Sequence, residues 1–421
     1  MTADGAPLRL DAHVGKGGPF DRPADDLLGA RLYAGELGSP VAVIRRSAIE
    51  HNAATMAAYV AAAGVVLAPH AKTSMSPELC RLQLARGAWG MTAAVPWQAA
   101  RIWEWGISRV LVANEITDSR GLVGLLRRRD VEAGRELWWY VDDPIGVAIA
   151  ADAVRRAGVE HAEVLVEIGH ADGRTGVRSV GAAVELADQV RATPELRLAG
   201  VAGYEGTITW SRDAEPLGRV DAYLSTLGAA AEQIASTVGF EVGAPIVTAG
   251  GSSFFERVVS ILGPIAAAVG GSLVLRSGCY LTHDHGVYDR LSPASQSAWD
   301  RPRFEGAIEV WGHVVSRPEP GLALVNAGRR DVSFDSGLPV PIAWSTGDGL
   351  RRSLAPSDGW TVSALGDQHA FVRLPDAAPL RPGDLVGLGI SHPCTTFDKW
   401  GRFFLVDDDG VVTGVVTTEF D

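Results

Sequence analysis

The sequence predicts an α/β protein, a (β/α)8 TIM-type barrel followed by an antiparallel β-domain. Between about residues 41 and 282, short apolar runs alternate with longer helical patterns. The runs are continuously apolar, as strands covered on both faces are, and eight or more such units are enough to close a barrel. After about residue 300 the texture changes to short strands split by Gly, Pro and Asp turns. A doubly wound open sheet is the competing arrangement for the first part. A chain of 421 residues exceeds one ordinary core. The expected division is an arm over 1–40 packing on the β-domain, a barrel over 41–295 and a β-domain over 296–421.

The elements follow in order. Val41–Ile44 reads as the first strand, and Ser47, with Glu50 three residues on, as the cap of a helix running to Ala63. Val65–Ala68 precedes a helix from about Ser76 to Ala85, and Trp89–Ala94 precedes one from Pro96. Strands then follow at Arg109–Ala113, Glu136–Val141, Ala162–Ile168, Leu198–Ala202, Pro245–Thr248 and Ser272–Leu275. The later strands are Val310–Val315, Gly321–Val325, Thr361–Ser363, His369–Arg373, Asp384–Gly389, Arg402–Val406 and Val411–Val416. Arg127, Arg128 and Arg129 read as a solvated helix end.

A net charge of −12 argues against nucleic-acid or anionic-membrane partners. Three cysteines, Cys80, Cys279 and Cys394, cannot build a disulfide framework, so a reducing cytoplasm is expected. The first residues lack a basic segment leading into an apolar one, and no charge-free apolar run approaches a membrane span.

Chemistry-bearing residues gather where strands end. Lys72 follows the run Val65–Ala68, and a partly desolvated lysine there can bond covalently to an aldehyde. A surface lysine paired with an acid is the competing reading. Glycines follow two late strands, Gly250-Gly251-Ser252 and Gly278 before Tyr280. They allow main-chain N–H groups to approach a phosphate, to which Ser252 adds a hydroxyl; ordinary turns are the alternative. Arg174 and Tyr204 also follow strands. The first suits a phenolate or carboxylate and the second an aromatic ring. His392 and Cys394, two residues apart, can offer an imidazole and a thiolate to one metal, with water, substrate or Asp398 completing the set. Thiolate softness favours zinc over manganese or magnesium. His283-Asp284-His285 is a rival cluster, read here as shaping a pocket rim, and His313, Asp367 and His369 have no clear role.

Pro69-His70-Ala71-Lys72-Thr73, Gly203-Tyr204-Glu205-Gly206, Gly250-Gly251-Ser252, Gly278-Cys279-Tyr280 and His392-Pro393-Cys394 occur in the order found in fold-type III pyridoxal-phosphate enzymes. From about residue 40 onward the chain resembles the D-serine dehydratase, D-threonine aldolase and amino-acid deaminase branch, with its alanine racemase-like barrel. The resemblance implies pyridoxal 5'-phosphate bound covalently to Lys72 and Arg174 at the ring oxygen. It places Tyr204 along the ring, and Gly250, Gly251, Ser252, Gly278 and Tyr280 at the phosphate. It assigns zinc to His392 and Cys394. The aldolase branch more often carries Asp where Cys394 stands, so the resemblance favours dehydration of D-serine- or D-threonine-like β-hydroxy D-amino acids to 2-keto acids and ammonia. Aldol cleavage to glycine and an aldehyde is the alternative. A racemase, a non-catalytic cofactor-binding protein and a metal-only hydrolase are further rivals. The resemblance also implies a head-to-tail homodimer.

Overall fold

The computed structural model describes residues 16–17, 27–131 and 134–420. Most of the expected N-terminal arm therefore lies outside the described residues. The barrel strands are β2 (Val66–Leu67), β3 (Met91–Ala93), β4 (Arg109–Glu115), β5 (Glu136–Val141), β6 (Ala162–Ile168), β7 (Leu196–Gly203), β8 (Ile246–Ala249) and β9 (Ser272–Leu275). They form one parallel sheet in the order β2-β9-β8-β7-β6-β5-β4-β3. Its two ends meet. Trp89 N donates to Leu67 O at 2.7 Å, Thr92 N donates to Pro69 O at 2.8 Å, and His70 bridges Thr92 in parallel. The sheet is thus a closed barrel, and the open doubly wound alternative is excluded.

β1 (Val41–Arg45) precedes β2 in the chain but lies outside the barrel. It joins a ten-stranded sheet with β10 (Ile308–Glu319), β11 (Leu322–Val325), β12 (Val340–Ser345), β13 (Arg352–Ser353), β14 (Thr361–Leu365), β15 (Ala370–Arg373), β16 (Leu385–Gly389), β17 (Arg402–Val406) and β18 (Val412–Thr417). There β1 runs antiparallel to β10 and parallel to β17. This corrects the reading of residues 41–44 as the first barrel strand. An apolar run states that a strand is covered on both faces, not which neighbours bond it. The second sheet is consequently mixed, where an antiparallel one was expected. Leu27, Leu32, Tyr33 and Leu37 share a small core with Val41, Trp311 and Phe404 of this sheet.

Local details follow the same physics with one exception. Ser76 caps the helix Pro77–Ala85 by accepting from Leu79 N at 3.4 Å, with proline at the first helical position. The helix Arg46–Ala63 instead starts one residue before Ser47 and has no side-chain cap; the Ser47 hydroxyl donates to Asp408 at 2.6 Å. Asn52, on that helix, ties the two sheets' connection down. It donates to Leu281 O at 3.0 Å and Glu305 O at 2.8 Å, and accepts from Glu305 N at 2.8 Å. Gly200 in β7 has φ +153°, and a Cβ there would lie 1.9 Å from Ile246 O, so the β7–β8 contact requires glycine.

Candidate active site at the barrel mouth

Lys72 sits on the single 3-10 turn Ala71–Thr73 immediately after β2. The turn is fastened on both sides. Ala68 N and His70 N donate to Leu275 O and Arg276 O at 2.8 and 3.2 Å, and Thr92 Oγ1 donates to Ala68 O at 2.6 Å. The Lys72 side chain is reachable by solvent, yet protein surrounds it closely enough that desolvation lowers its ammonium pKa. Cys394 and Cys279 oppose that shift as potential thiolates, while Arg174 and Arg276 reinforce it.

Two arginines line the same mouth. Arg174, in the loop after β6, places its guanidinium 4.9 Å from the Tyr204 ring, and both residues border one cleft with Glu167 and His170. Arg276, after β9, is buried and donates to Thr248 Oγ1 at 2.6 Å and Gly203 O at 2.7 Å. Tyr204 is held through its backbone: its N donates to the Tyr223 hydroxyl, which donates to Ile168 O. Burial first, then the nearby Glu205, pushes the Tyr204 phenol up to about 12. The Tyr140 hydroxyl and His70 Nδ1 are buried without a hydrogen-bond partner. Burial, and then the charges of Lys72 and Arg276, hold His70 well below the usual imidazole range.

Cys394 opens the short helix Cys394–Phe397, two residues after His392. Ser333 prepares this segment by accepting from His392 N at 3.0 Å and meeting Ser391 Oγ at 3.1 Å. His392 Nδ1 bonds Asp335 at 2.6 Å, and Asp335 also accepts from Thr395 Oγ1 at 2.6 Å. Burial opposes charge on His392, but bonding and attraction to Cys394 and Asp335 outweigh it and push the imidazole up to about 9. The Cys394 thiol is held well below its ordinary value, first by the hydrogen bond from Cys279, then by His392, with burial opposing. Cys394 Sγ lies 3.5 Å from Thr73 Oγ1, on the residue next to Lys72. The β-domain's cysteine and the barrel's lysine turn therefore meet within one chain.

The loop after β9 carries this meeting. His285 N and Val287 N donate to Ile390 O and Ser391 O at 2.9 and 3.3 Å, just before His392. Asp284 organises the loop by accepting from the N–H groups of Gly286, Tyr288 and Asp289 at 2.8–3.1 Å. Burial pushes its carboxyl up to about 6 against these bonds. Its oxygens are thus committed to backbone N–H groups, and His283 beside it is likewise buried. Asp284→Ala strands one buried and two part-buried donors, so unfolding free energy should fall by about 1–3 kcal/mol in urea titration. A change below about 0.5 kcal/mol would mean that water replaces the carboxylate.

Comparisons with known proteins agree with this geometry. The D-ser_dehydrat family model, a serine dehydratase domain, matches residues 307–406. D-threonine aldolase of Arthrobacter sp is 28% identical over 386 residues, covering 90% of this chain and 91% of the aldolase. D-threo-3-hydroxyaspartate dehydratase of Delftia sp. (strain HT23) is 27% identical over 392 residues, covering 89% of this chain and 96% of that enzyme. The crystal structure of D-threonine aldolase from Filomicrobium marinum superposes with a TM-score of 0.78 at 27% identity, covering 93% of this chain and 97% of that one. These similarities agree with the resemblance to fold-type III pyridoxal-phosphate enzymes drawn from the motifs.

The homologues, aldolases and dehydratases, support an enzyme of the lyase type. The family is pyridoxal phosphate-dependent, and one solved form of the Delftia dehydratase, a cysteine-to-alanine variant, is described as metal-free. The residues here fit the cofactor: a reachable amine of lowered pKa, two guanidinium groups to balance an anionic ligand, and orphaned polar atoms at Tyr140 and His70. They fit a soft metal too, with a thiol and an imidazole in contact and the imidazole's other nitrogen held by Asp335, the usual outer support of a metal-bound histidine.

Several members of the expected phosphate cradle have other partners. Gly250 N and Gly251 N donate to the two Glu205 oxygens at 3.1 and 2.8 Å, so these amides are already satisfied. The Tyr280 hydroxyl accepts from Gln83 at 3.1 Å, and the ring packs near Phe304. Tyr280 is buried. Ser252 is buried, and Gly278 lies where a Cβ would come 2.6 Å from His70 O, so backbone closeness explains that glycine. Asp398 is exposed, His313 Nδ1 bonds Gly383 O, and Asp367 faces Arg330.

Sequence reasoning missed Asp335, Glu205, Arg276 and a carboxylate trio, Glu115, Asp142 and Glu167. The trio ends three adjacent strands with its oxygens within 4.8 Å of one another. Burial, then the neighbouring Glu167, pushes the Glu115 carboxyl up to about 9. Nothing local marks Asp335. Glu205 and Arg276 adjoin residues already singled out, and charge beside a strand-end glycine was the available signal.

No helix among the described residues is long and apolar enough to cross a membrane.

Proposed function

We propose that the protein is a pyridoxal phosphate- and zinc-dependent dehydratase that converts β-hydroxy D-amino acids to 2-keto acids and ammonia. The observation carrying this reading is the approach of Cys394 Sγ to within 3.5 Å of Thr73, next to Lys72. A thiolate–imidazole pair has reason to stand beside a cofactor lysine when a group at Cβ must leave.

Bound there, the cofactor supplies an electron sink at Cα and zinc supplies a Lewis acid for the departing hydroxyl. Lys72 holds the cofactor and, once released as an amine of lowered pKa, takes the α-proton. His392 and Cys394 hold the metal, and Asp335 fixes the imidazole's orientation. Arg174 and Arg276 make the mouth cationic, which favours anionic groups of cofactor and substrate. Removal of the α-proton and β-hydroxyl as water leaves an enamine, and its hydrolysis consumes one water and yields the keto acid and ammonia.

Aldol cleavage is the second reading, favoured by the likeness to D-threonine aldolase over 90% of the chain. It needs a base at the β-hydroxyl and breaks Cα–Cβ. The holoenzyme should be incubated with D-serine, D-threonine and D-threo-3-hydroxyaspartate while keto acid, ammonia, glycine and aldehyde are assayed. Keto acid and ammonia in equal amounts, without glycine, are expected. Glycine and aldehyde as the main products would replace dehydration by cleavage.

A further inference from the structure

We infer that Glu115, Asp142 and Glu167 form a second metal site, separate from His392 and Cys394, that takes a hard divalent cation of calcium size. The three side chains stand at the C-terminal ends of β4, β5 and β6, and Glu167 borders the cleft it shares with Arg174 and Tyr204. Their oxygens lie within 4.8 Å of one another. Calcium holds oxygen ligands at about 2.4 Å and can bridge such a span, whereas magnesium, at about 2.1 Å, needs a tighter set. Carboxylates without sulfur or imidazole suit a hard ion and leave the softer zinc to the thiolate.

Acidic side chains gather on many surfaces without a ligand. This trio differs in its burial and in what its oxygens lack. Glu167 is 7% exposed, and its Oε2 has no hydrogen-bond partner. Both Glu115 oxygens are likewise buried and unpartnered. Among the described residues, no lysine, arginine or histidine forms an ion pair with any of the three. The mouth's two arginines are engaged elsewhere, Arg276 with Thr248 and Gly203 and Arg174 over the Tyr204 ring.

An independent buried group points to the same place. Tyr140 lies two residues before Asp142, so both side chains project to one face of β5, and Tyr140 is in register with Glu115 of β4. It packs inside the barrel with Leu111 and Leu165, the latter two residues before Glu167. Its hydroxyl is buried without a partner. Burial pushes its phenol up, Arg276 opposes this, and Glu167 and Glu115 add to the rise. A buried polar oxygen with no partner is costly. One proton shared by Glu115 and Glu167 joins two of these orphaned atoms and leaves the others unpaired. A cation draws the carboxylate oxygens together. Asp142 is already oriented for it, accepting from Gly176 N at 2.8 Å in the loop that carries Arg174. The ion thus ties three strand ends to that loop.

The test is calorimetric titration of calcium, and separately of magnesium, into zinc-loaded holoenzyme, with terbium as a luminescent probe that Trp138 and Tyr140 can sensitise. Wild type should bind a single calcium per chain, more tightly than magnesium, and calcium should displace terbium. Glu115→Gln and Glu167→Gln keep the side chain's size but remove a charged ligand, and each should weaken calcium binding about tenfold or more. Cys394→Ala should bind calcium as wild type does, because the zinc ligands are not part of this site; loss of calcium binding there overturns the separate site. No uptake of calcium or magnesium up to about 10 mM, weaker than extracellular calcium modules, overturns it in favour of a proton shared by Glu115 and Glu167. Calcium binding that both glutamine substitutions leave unchanged puts the ion elsewhere and overturns it equally. Should Glu167→Gln fail to fold, Glu115→Gln and the wild-type titration decide the matter.

Discussion

Lys72→Ala should lower turnover by at least about 10^4-fold, because it removes both the covalent anchor and the proton acceptor at Cα. The substituted protein should fold normally. The Lys72 side chain is exposed, and the turn that carries it is held by backbone bonds to β9 and by Thr92, which the substitution leaves intact. Stability should change by less than about 0.5 kcal/mol. Lys72→Arg should be equally inactive, since a guanidinium keeps its proton at any working pH and cannot act as the nucleophile or base. The direct check is borohydride reduction of the wild-type holoenzyme followed by peptide mapping, with cofactor retention after dialysis compared in Lys72→Ala. A label on any other residue, or a Lys72→Ala protein that keeps tightly bound cofactor and turnover, ends the assignment.

The barrel was legible because its strands are buried on both faces. Runs such as Ala162–Ile168 and Leu196–Gly203 are mainly apolar, interrupted only by Glu163, Glu167 and Arg197, and the barrel's helices have ordinary start signals such as Ser76 with Pro77. β1 shows the limit. Its burial matches that of a barrel strand, and only its hydrogen bonds to β10 and β17 assign it to the other sheet. The site divides in the same way. Lys72, Arg174, Tyr204, His392 and Cys394 sit in recognisable local contexts. The encounters that give them chemistry join Thr73 to Cys394 and Asp335 to His392, positions 321 and 57 residues apart, and no local pattern encodes them. The glycine pair at 250–251 reads locally as a strand-end turn with amides open to an anion, and its bonds to Glu205, some 45 positions earlier, are not encoded in that pattern.

Cys394→Ala should leave the cofactor bound to Lys72 and lower β-elimination by about 10^3-fold or more, since hydroxide leaves poorly without a Lewis acid. Chelation of wild type should reproduce the loss, and added zinc should reverse it in wild type only. The pH dependence separates a metal role from a packing role. An imidazolium cannot bind a cation, so His392, held up to about 9 chiefly by Cys394 and Asp335 against burial, must shed a proton before ligation. Zinc affinity of the metal-free wild type should therefore rise with pH, by up to about tenfold per unit, until about pH 9. Removing the Cys394 sulfur removes the first of the groups that raise His392, so in Cys394→Ala the rise should be weaker overall and level off at lower pH. A packing defect would change affinity equally at every pH. Zinc binding that stays flat from roughly pH 6 to 9 in wild type would remove His392 from the ligand set.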